Sequence, residues 1–480
     1  MSAASLAALE ADVRRDLART AHPRQPWLTP MRAPDGSDAL DVLVVGAGQC
    51  GIATAFGLSR ARVDNVLVID RAEAGREGPW RTYARMPTLR SPKDFTGPDL
   101  DVPSLTYQAW HEAKFGTADW EALDLITRED WADYLDWVRK MTGVHVENRT
   151  ELLGIDEAGP LLRATVCRDG VTRTIFARRI VLATGQDSTG RWTLPPEVAA
   201  LPAHLRAHTC EDIDFAALAG RTVLVLGAGA SAFDNAASAL EAGATVHLFT
   251  RRRTVQVIQP YRFITFAGFL RHLADLDDVW RWRFMRLVLG LREGFPQATF
   301  DRCARQPGFT LHAGAPWRSV GTAGDGVAVE TPRGPMTGDF IIAGTGIDMD
   351  FAARPELRAF AGNIATWADR YEPPADEADE RLGRFPYLAD DYAFMEKTPG
   401  QTAWIGRIHL FSIASTMSFG PSGSSINAMT TAVPRLVNGI TRSLFREDAP
   451  AHYAALLAYD VPQAIVPPER IVQHSPEEAG

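Results

Sequence analysis

Cysteine is scarce in this chain of 480 residues, with four in all, Cys50, Cys167, Cys210 and Cys303, and none of them in a Cys-x-x-Cys pair. That spacing excludes a dithiol redox centre and a Cys/His zinc site, and it fits thiols kept reduced in a cytoplasm better than a disulfide framework. Long apolar runs are missing too. The stretches around Val42–Val45 and Phe263–Leu270 fall far short of the roughly 18 residues that a membrane span needs. Glu10, Asp12 and Asp16 interrupt any apolar core near the start, so no secretory leader is expected. Positive charge is also short. With 50 Lys and Arg against 59 Asp and Glu the net charge is −9, which gives no global attraction for nucleic acid or an anionic membrane. A cytoplasmic enzyme acting on a small molecule is the expectation, with self-association left open.

What is present is a repeated strand–turn–helix–strand layout. Residues 6–20 read as an amphipathic helix, with Leu6, Leu9, Val13 and Leu17 on one stripe, followed by a Pro-rich arm from Pro23 to Pro34. Asp41–Val45 is a buried parallel strand by its β-branched run, with Val66–Ile69 its neighbour and a helix over 52–59 between them. The layout returns with strands at Thr222–Leu226 and Thr245–Phe249 and a helix over 231–240. Two such units predict an α/β fold with two Rossmann-like dinucleotide-binding domains and a helical insertion over 255–305. The predicted division is an arm at 1–40, a discontinuous first domain at 41–205 plus 336–445, a second domain at 206–335, and a tail at 446–480.

The first turn reads Gly46-Ala-Gly48-Gln49-Cys-Gly51 between a strand and a helix. Gly46 permits the tight turn, Gly48 lets the backbone approach a pyrophosphate, and Gly51 lets helix and strand close up, while the helix N-terminus offers free N–H groups. Asp70, with Arg71 beside it, ends the second strand, where a carboxylate accepts from ribose hydroxyls and repels a 2′-phosphate. This site suits FAD or NAD. The second turn reads Gly227-Ala-Gly229-Ala230-Ser231-Ala232, and its second strand ends in Arg251-Arg252-Arg253 with no acid. Guanidinium groups there pair with a 2′-phosphate, so the second site is read as binding NADPH, with NADH the alternative.

Two turns so spaced, one FAD-like and one NADPH-like, resemble the class B flavoprotein monooxygenases over about residues 40–440. Gly78-Pro-Trp80 resembles that group's Gly-Gly-x-Trp segment near the flavin. Ala183-Thr-Gly185 and Gly344-Thr-Gly346 resemble the hinges where the chain passes between domains, and His208-Thr209 stands where the group has a His-Ser or His-Thr pair. The loop Ser418–Asn427, with Ser424 and Asn427 as flavin contacts, resembles the segment that closes the flavin pocket and leads into a helix, here over 425–441. The Baeyer–Villiger fingerprint is not met, because Pro202 and His204 stand at its Phe and Gly places. The Met86–Lys93 stretch is closer to the ornithine and lysine N-hydroxylases.

The resemblance implies FAD and NADPH as cofactors and insertion of one oxygen atom of O2 by a flavin C4a-hydroperoxide. N- or S-oxygenation leads, with Baeyer–Villiger chemistry or a simple flavin reductase or oxidase as alternatives. Arg90 and Lys93 are the candidate catalytic residues near the flavin and nicotinamide. Tyr107, Trp110, Trp120, Trp131, Tyr261 and Phe263 are candidate substrate contacts.

Overall fold

The computed structural model describes residues 3–21, 23–95, 97–291, 293–423 and 425–473. Its first sheet is built on the apolar run Leu40–Val45, whose Val42, Leu43 and Val44 are fully buried, as expected for a parallel strand covered on both faces. Val66–Ile69 and then Val146–Glu147 extend the sheet on one side, all parallel. On the other side lies Val171–Leu182, a strand used twice. Its first half pairs antiparallel with Leu161–Arg168, and its second half sits between Leu40–Val45 and Ile408–Leu410. The second sheet is parallel throughout, in the order 309–313, 245–250, 222–226, 340–343, 206–208.

Strand pairing moves the predicted domain boundaries. Phe340–Ala343 is hydrogen-bonded into the second sheet, so the chain returns to the first domain at Gly344–Gly346 and not at 336. Val198, Leu201 and Leu205 likewise pack in the apolar layer under the second sheet, which places the outward passage near residue 190 and not at 205. The two passages meet: Gly190–Trp192 pairs antiparallel with Ile347–Met349, a two-stranded hinge between the nucleotide-binding halves.

The helical insertion forms as expected, with helices at Pro260–Ile264, Ala267–His272, Asp278–Leu291 and Gln297–Ala304. It reaches across to the first domain, where Trp282 is buried against Trp367 and donates from Nε1 to the Glu377 carbonyl at 3.0 Å. The tail departs most from expectation. The last long helix starts at Met429 and runs to Leu457, well past 441. The cause is charge: Arg178 and Arg179 are buried in the first sheet, and Asp448 and Glu447 of that helix neutralise them, Arg178 to Asp448 at 2.8 Å and Arg179 to Glu447 at 2.6 Å.

Candidate active site

Both glycine turns open into one cavity of about 1380 Å³ between the two halves. In each turn the first glycine has a left-handed φ, +101° at Gly46 and +110° at Gly227, and a carbonyl from the passage between the halves leaves no room for a side chain there. A Cβ at Gly46 would stand 2.3 Å from the Ala183 oxygen, and one at Gly227 2.5 Å from the Gly344 oxygen. Gly51 faces inward, where a Cβ would stand 1.8 Å from the Gly46 oxygen, so the bare Cα lets helix and turn close up. Ala232 fills that place in the second turn, its methyl lying against the bare Cα of Gly344.

The middle glycines are different. A Cβ on Gly48 would meet only Gly78 Cα at 3.8 Å, and one on Gly229 would meet nothing within 4 Å, although both line the cavity. At both positions the wall is left open, with room for a ligand to approach the backbone. Gly48 and Gly229 are also the N-caps of helices Gln49–Arg60 and Ala230–Glu241, and neither helix start has a side-chain cap. Their first N–H groups and positive dipole ends are left for an anion.

Asp70 lines the cavity with its oxygens fixed by the backbone, Oδ2 accepting from Ala47 N and Oδ1 from Ala72 N, both at 2.7 Å. Burial pushes its carboxyl above the ordinary range, partly offset by those two N–H groups. Arg71, Trp80 and Gly185 also line the cavity, and Gln49 accepts from Trp131 Nε1 at 3.2 Å at its edge. At the second turn Ala230, Ser231, Ala232, Arg251, Arg252 and Gly346 line it. Arg252 also donates to the Gly290 carbonyl at 3.1 Å. Six buried polar atoms on residues of the wall, Trp80 Nε1, Arg85 Nε, Arg90 Nε, Thr184 Oγ1, Asn235 Oδ1 and Trp317 Nε1, have no hydrogen-bond partner among the described residues. Buried polar atoms are rarely left so, and ligand groups are their natural partners. Two adenine dinucleotides of the expected polarity fit this wall.

The two candidate catalytic residues part company. Arg90 lies on the wall, where its guanidinium joins Asp234 of the second-turn helix at 2.7 Å and Glu293 at the end of the insertion at 3.0 Å. Burial alone would lower its pKa, but Glu293 and Asp234 more than offset this and hold it charged. Lys93 is not brought to the cavity. Its ammonium donates to the carbonyls of Trp120 at 2.6 Å and Leu123 at 2.7 Å and lies over the Trp120 ring. The aromatic candidates also fall elsewhere. Tyr107, Trp110, Trp120 and Trp131 pack on one another in the core, and Tyr261 packs in the cluster around Trp282. Phe263 is 77% exposed on the outer surface. Gly423 carries the closing loop to the cavity, Asn427 does not line it, and Ser424 lies outside the described residues.

Asp234 and Asn235, Glu293, and the stretch Ala315–Val320 with Trp317 and Arg318 also face the cavity, and the sequence does not single them out. Only the first pair carries a signal, since helix residues one turn past a dinucleotide turn face the same cavity as the turn itself.

His208 ends the strand at the hinge, its ring tilted against Trp192 with centroids 5.1 Å apart and Nδ1 3.1 Å from Cys210 Sγ. Burial pushes its pKa down to about 4. An unfolded histidine takes up a proton near pH 6.5, so this group contributes stability above that pH that is lost as pH falls toward 4, roughly 2–3 kcal/mol in all. His208→Asn is expected to flatten the melting temperature against pH between those limits. An unchanged profile would show that His208 does not set it.

The fold agrees with that of solved structures. Residues 43–264 match the family model described as pyridine nucleotide-disulphide oxidoreductase. The four cysteines nonetheless stand as free thiols. The chain is 42% identical over 459 residues to the FAD-dependent urate hydroxylase of Xanthomonas campestris pv. campestris, covering 95% of this chain and 96% of that one. It is 26% identical over 261 residues to the FAD-containing monooxygenase EthA of Mycolicibacterium smegmatis, covering 51% and 49%. Among solved structures, the ornithine N-hydroxylase of Kutzneria sp. 744 superposes with a TM-score of 0.65 at 17% identity, covering 84% of this chain and 99% of that one. No helix among the described residues is long and apolar enough to cross a membrane. With two glycine turns facing one cavity and a full-length relative of this kind, the chain belongs to the class B flavoprotein monooxygenases, FAD-dependent oxidoreductases.

Proposed function

We propose that this chain hydroxylates urate or a closely related oxidised purine, with FAD at the Gly46 turn and NADPH at the Gly227 turn. The observation that carries the substrate is the 42% identity to a urate hydroxylase across nearly the whole of both chains. The N- or S-oxygenation expected from sequence rests on the Met86–Lys93 stretch, and ketone oxygenation is the alternative that the family resemblance leaves, so both become outcomes of the test.

When bound, the cofactor pair supplies the reduction of O2 that transfers one oxygen atom to the substrate and releases the other as water. The chain's own work is positional. Gly48 and the Gln49–Arg60 helix start would take the FAD pyrophosphate, and Asp70 the ribose hydroxyls. Gly229 and the Ala230–Glu241 helix start would take the second pyrophosphate, with Arg251 and Arg252 at the 2′-phosphate. Arg90 ties the first domain to the second-turn helix, holding the two nucleotide cradles at a fixed spacing while its charge is spent on carboxylates. Asn235 Oδ1, buried on the wall, is an open acceptor for an amide or ring N–H.

Coupled assays separate the readings. Urate is expected to accelerate NADPH oxidation with little H2O2 released, while amines, sulfides and ketones leave it near background. Acceleration by an amine, sulfide or ketone and none by urate would overturn the substrate assignment. For the second cofactor, Arg251→Ala with Arg252→Ala is expected to raise the KM for NADPH about 100-fold and that for NADH only slightly, because the charge-assisted bonds to a phosphate disappear. Equal effects on the two would remove the 2′-phosphate role.

A further inference from the structure

Helix Asp278–Leu291 is apolar on two faces. One face, Trp282, Met285 and Val288, is buried against the first domain. The other presents Trp280, Phe284 and Leu287, at i, i+4 and i+7, to solvent, exposed by 50%, 36% and 64%. A helix on the surface of a water-soluble protein normally keeps that second face polar.

The exposed stripe does not stand alone. Trp280 packs on Phe284, Phe284 on Phe269, Phe269 on Phe266 and Phe266 on Phe263, with ring centroids 5.4 to 6.3 Å apart. Phe263 and Phe266 are themselves 77% and 51% exposed, and Leu276 and Val279 add 39% and 37%. The result is an aromatic surface that runs from Trp280 to Phe263 through solvent-exposed rings, the kind of apolar patch that marks an interaction site.

We propose that this face binds a second copy of the chain, the two insertions packing across a two-fold axis. Two observations favour a second copy over other occupants. The net charge of −9 opposes docking on an anionic membrane. The rim carries both signs, with exposed Arg262 and Arg271 alongside Asp277, so a copy rotated by two-fold symmetry can meet opposite charge with opposite charge. The patch also leads toward the active site, since Leu291, one turn beyond Leu287, lines the cavity, and the partner would flank its mouth.

The test is sedimentation velocity of the flavin-loaded full chain at micromolar concentration. The wild type is expected to sediment at twice the chain mass. Trp280→Glu with Leu287→Glu is expected to weaken association about 100-fold, giving monomer with unchanged flavin content and melting temperature, because both side chains are already half or more exposed. A control, Tyr453→Glu with Leu457→Glu on the exposed end of the last helix, is expected to stay dimeric. A monomeric wild type, a double variant that stays dimeric, or a monomer that pellets with phosphatidylserine vesicles would each overturn the proposal.

Discussion

Gly48→Ala is expected to give a protein that folds and melts like the wild-type apoprotein but purifies nearly free of flavin, its FAD affinity lowered at least 100-fold. The turn holds two kinds of glycine. At Gly48 the backbone is in an ordinary extended conformation, φ −67°, and an added methyl meets nothing closer than 3.8 Å, so the fold is undisturbed. That methyl enters the space where the turn must approach a pyrophosphate, and each tenfold drop in affinity corresponds to about 1.4 kcal/mol of binding free energy. At Gly46 the same change forces a left-handed φ and a 2.3 Å approach to the Ala183 carbonyl, so the fold itself suffers. Gly229→Ala is the counterpart in the second turn, expected to spare flavin content and raise the KM for NADPH. Absorption spectra of the purified Gly48→Ala and Gly229→Ala proteins report flavin content, and steady-state kinetics report the KM. A fully yellow Gly48→Ala protein would show that no dinucleotide lies against that turn.

Arg90→Ala carries the second large effect. Its guanidinium bridges Asp234, which is almost fully buried, and Glu293, so removal leaves a carboxylate in the interior with only Thr299 and a longer contact to Arg302. Breaking such a pair from one side costs about 3 kcal/mol. The bridge also joins loop and helix from different halves, and its removal is expected to lower kcat for NADPH-driven turnover more than tenfold while flavin content stays near normal. Arg90→Lys, which keeps the charge but cannot reach two carboxylates in one plane, should recover stability more than kcat. Full activity and unchanged melting in Arg90→Ala would show that the bridge neither stabilises nor spaces the cradles.

The two turns are legible in the sequence because their demands are local. A tight turn, a close approach and a terminal acid or base all fall within some 25 positions, and the structure brings Gly46, Asp70, Gly227 and Arg251 to one cavity. What is not legible depends on distant partners. Lys93 is expected near the flavin, but Trp120 and Leu123 supply carbonyls for it from a separate part of the chain. Asp234 is not singled out in the sequence, because Arg90 reaches it from 144 positions away. The last helix is expected to end at 441, because nothing near it announces that Arg178 and Arg179 will be buried and need Glu447 and Asp448. Phe340–Ala343 reads equally well as a strand of either half, and only its pairing with Thr222–Leu226 decides which.

The central claim is that one cavity holds FAD on its Asp70 side and NADPH on its Arg251 side. Anaerobic titration of the purified protein with NADPH and with NADH, followed at the flavin absorbance band, tests it most directly. One FAD per chain, bleached at far lower NADPH than NADH concentration, is the predicted result. A colourless protein, or a bound flavin that neither nucleotide reduces, would contradict it.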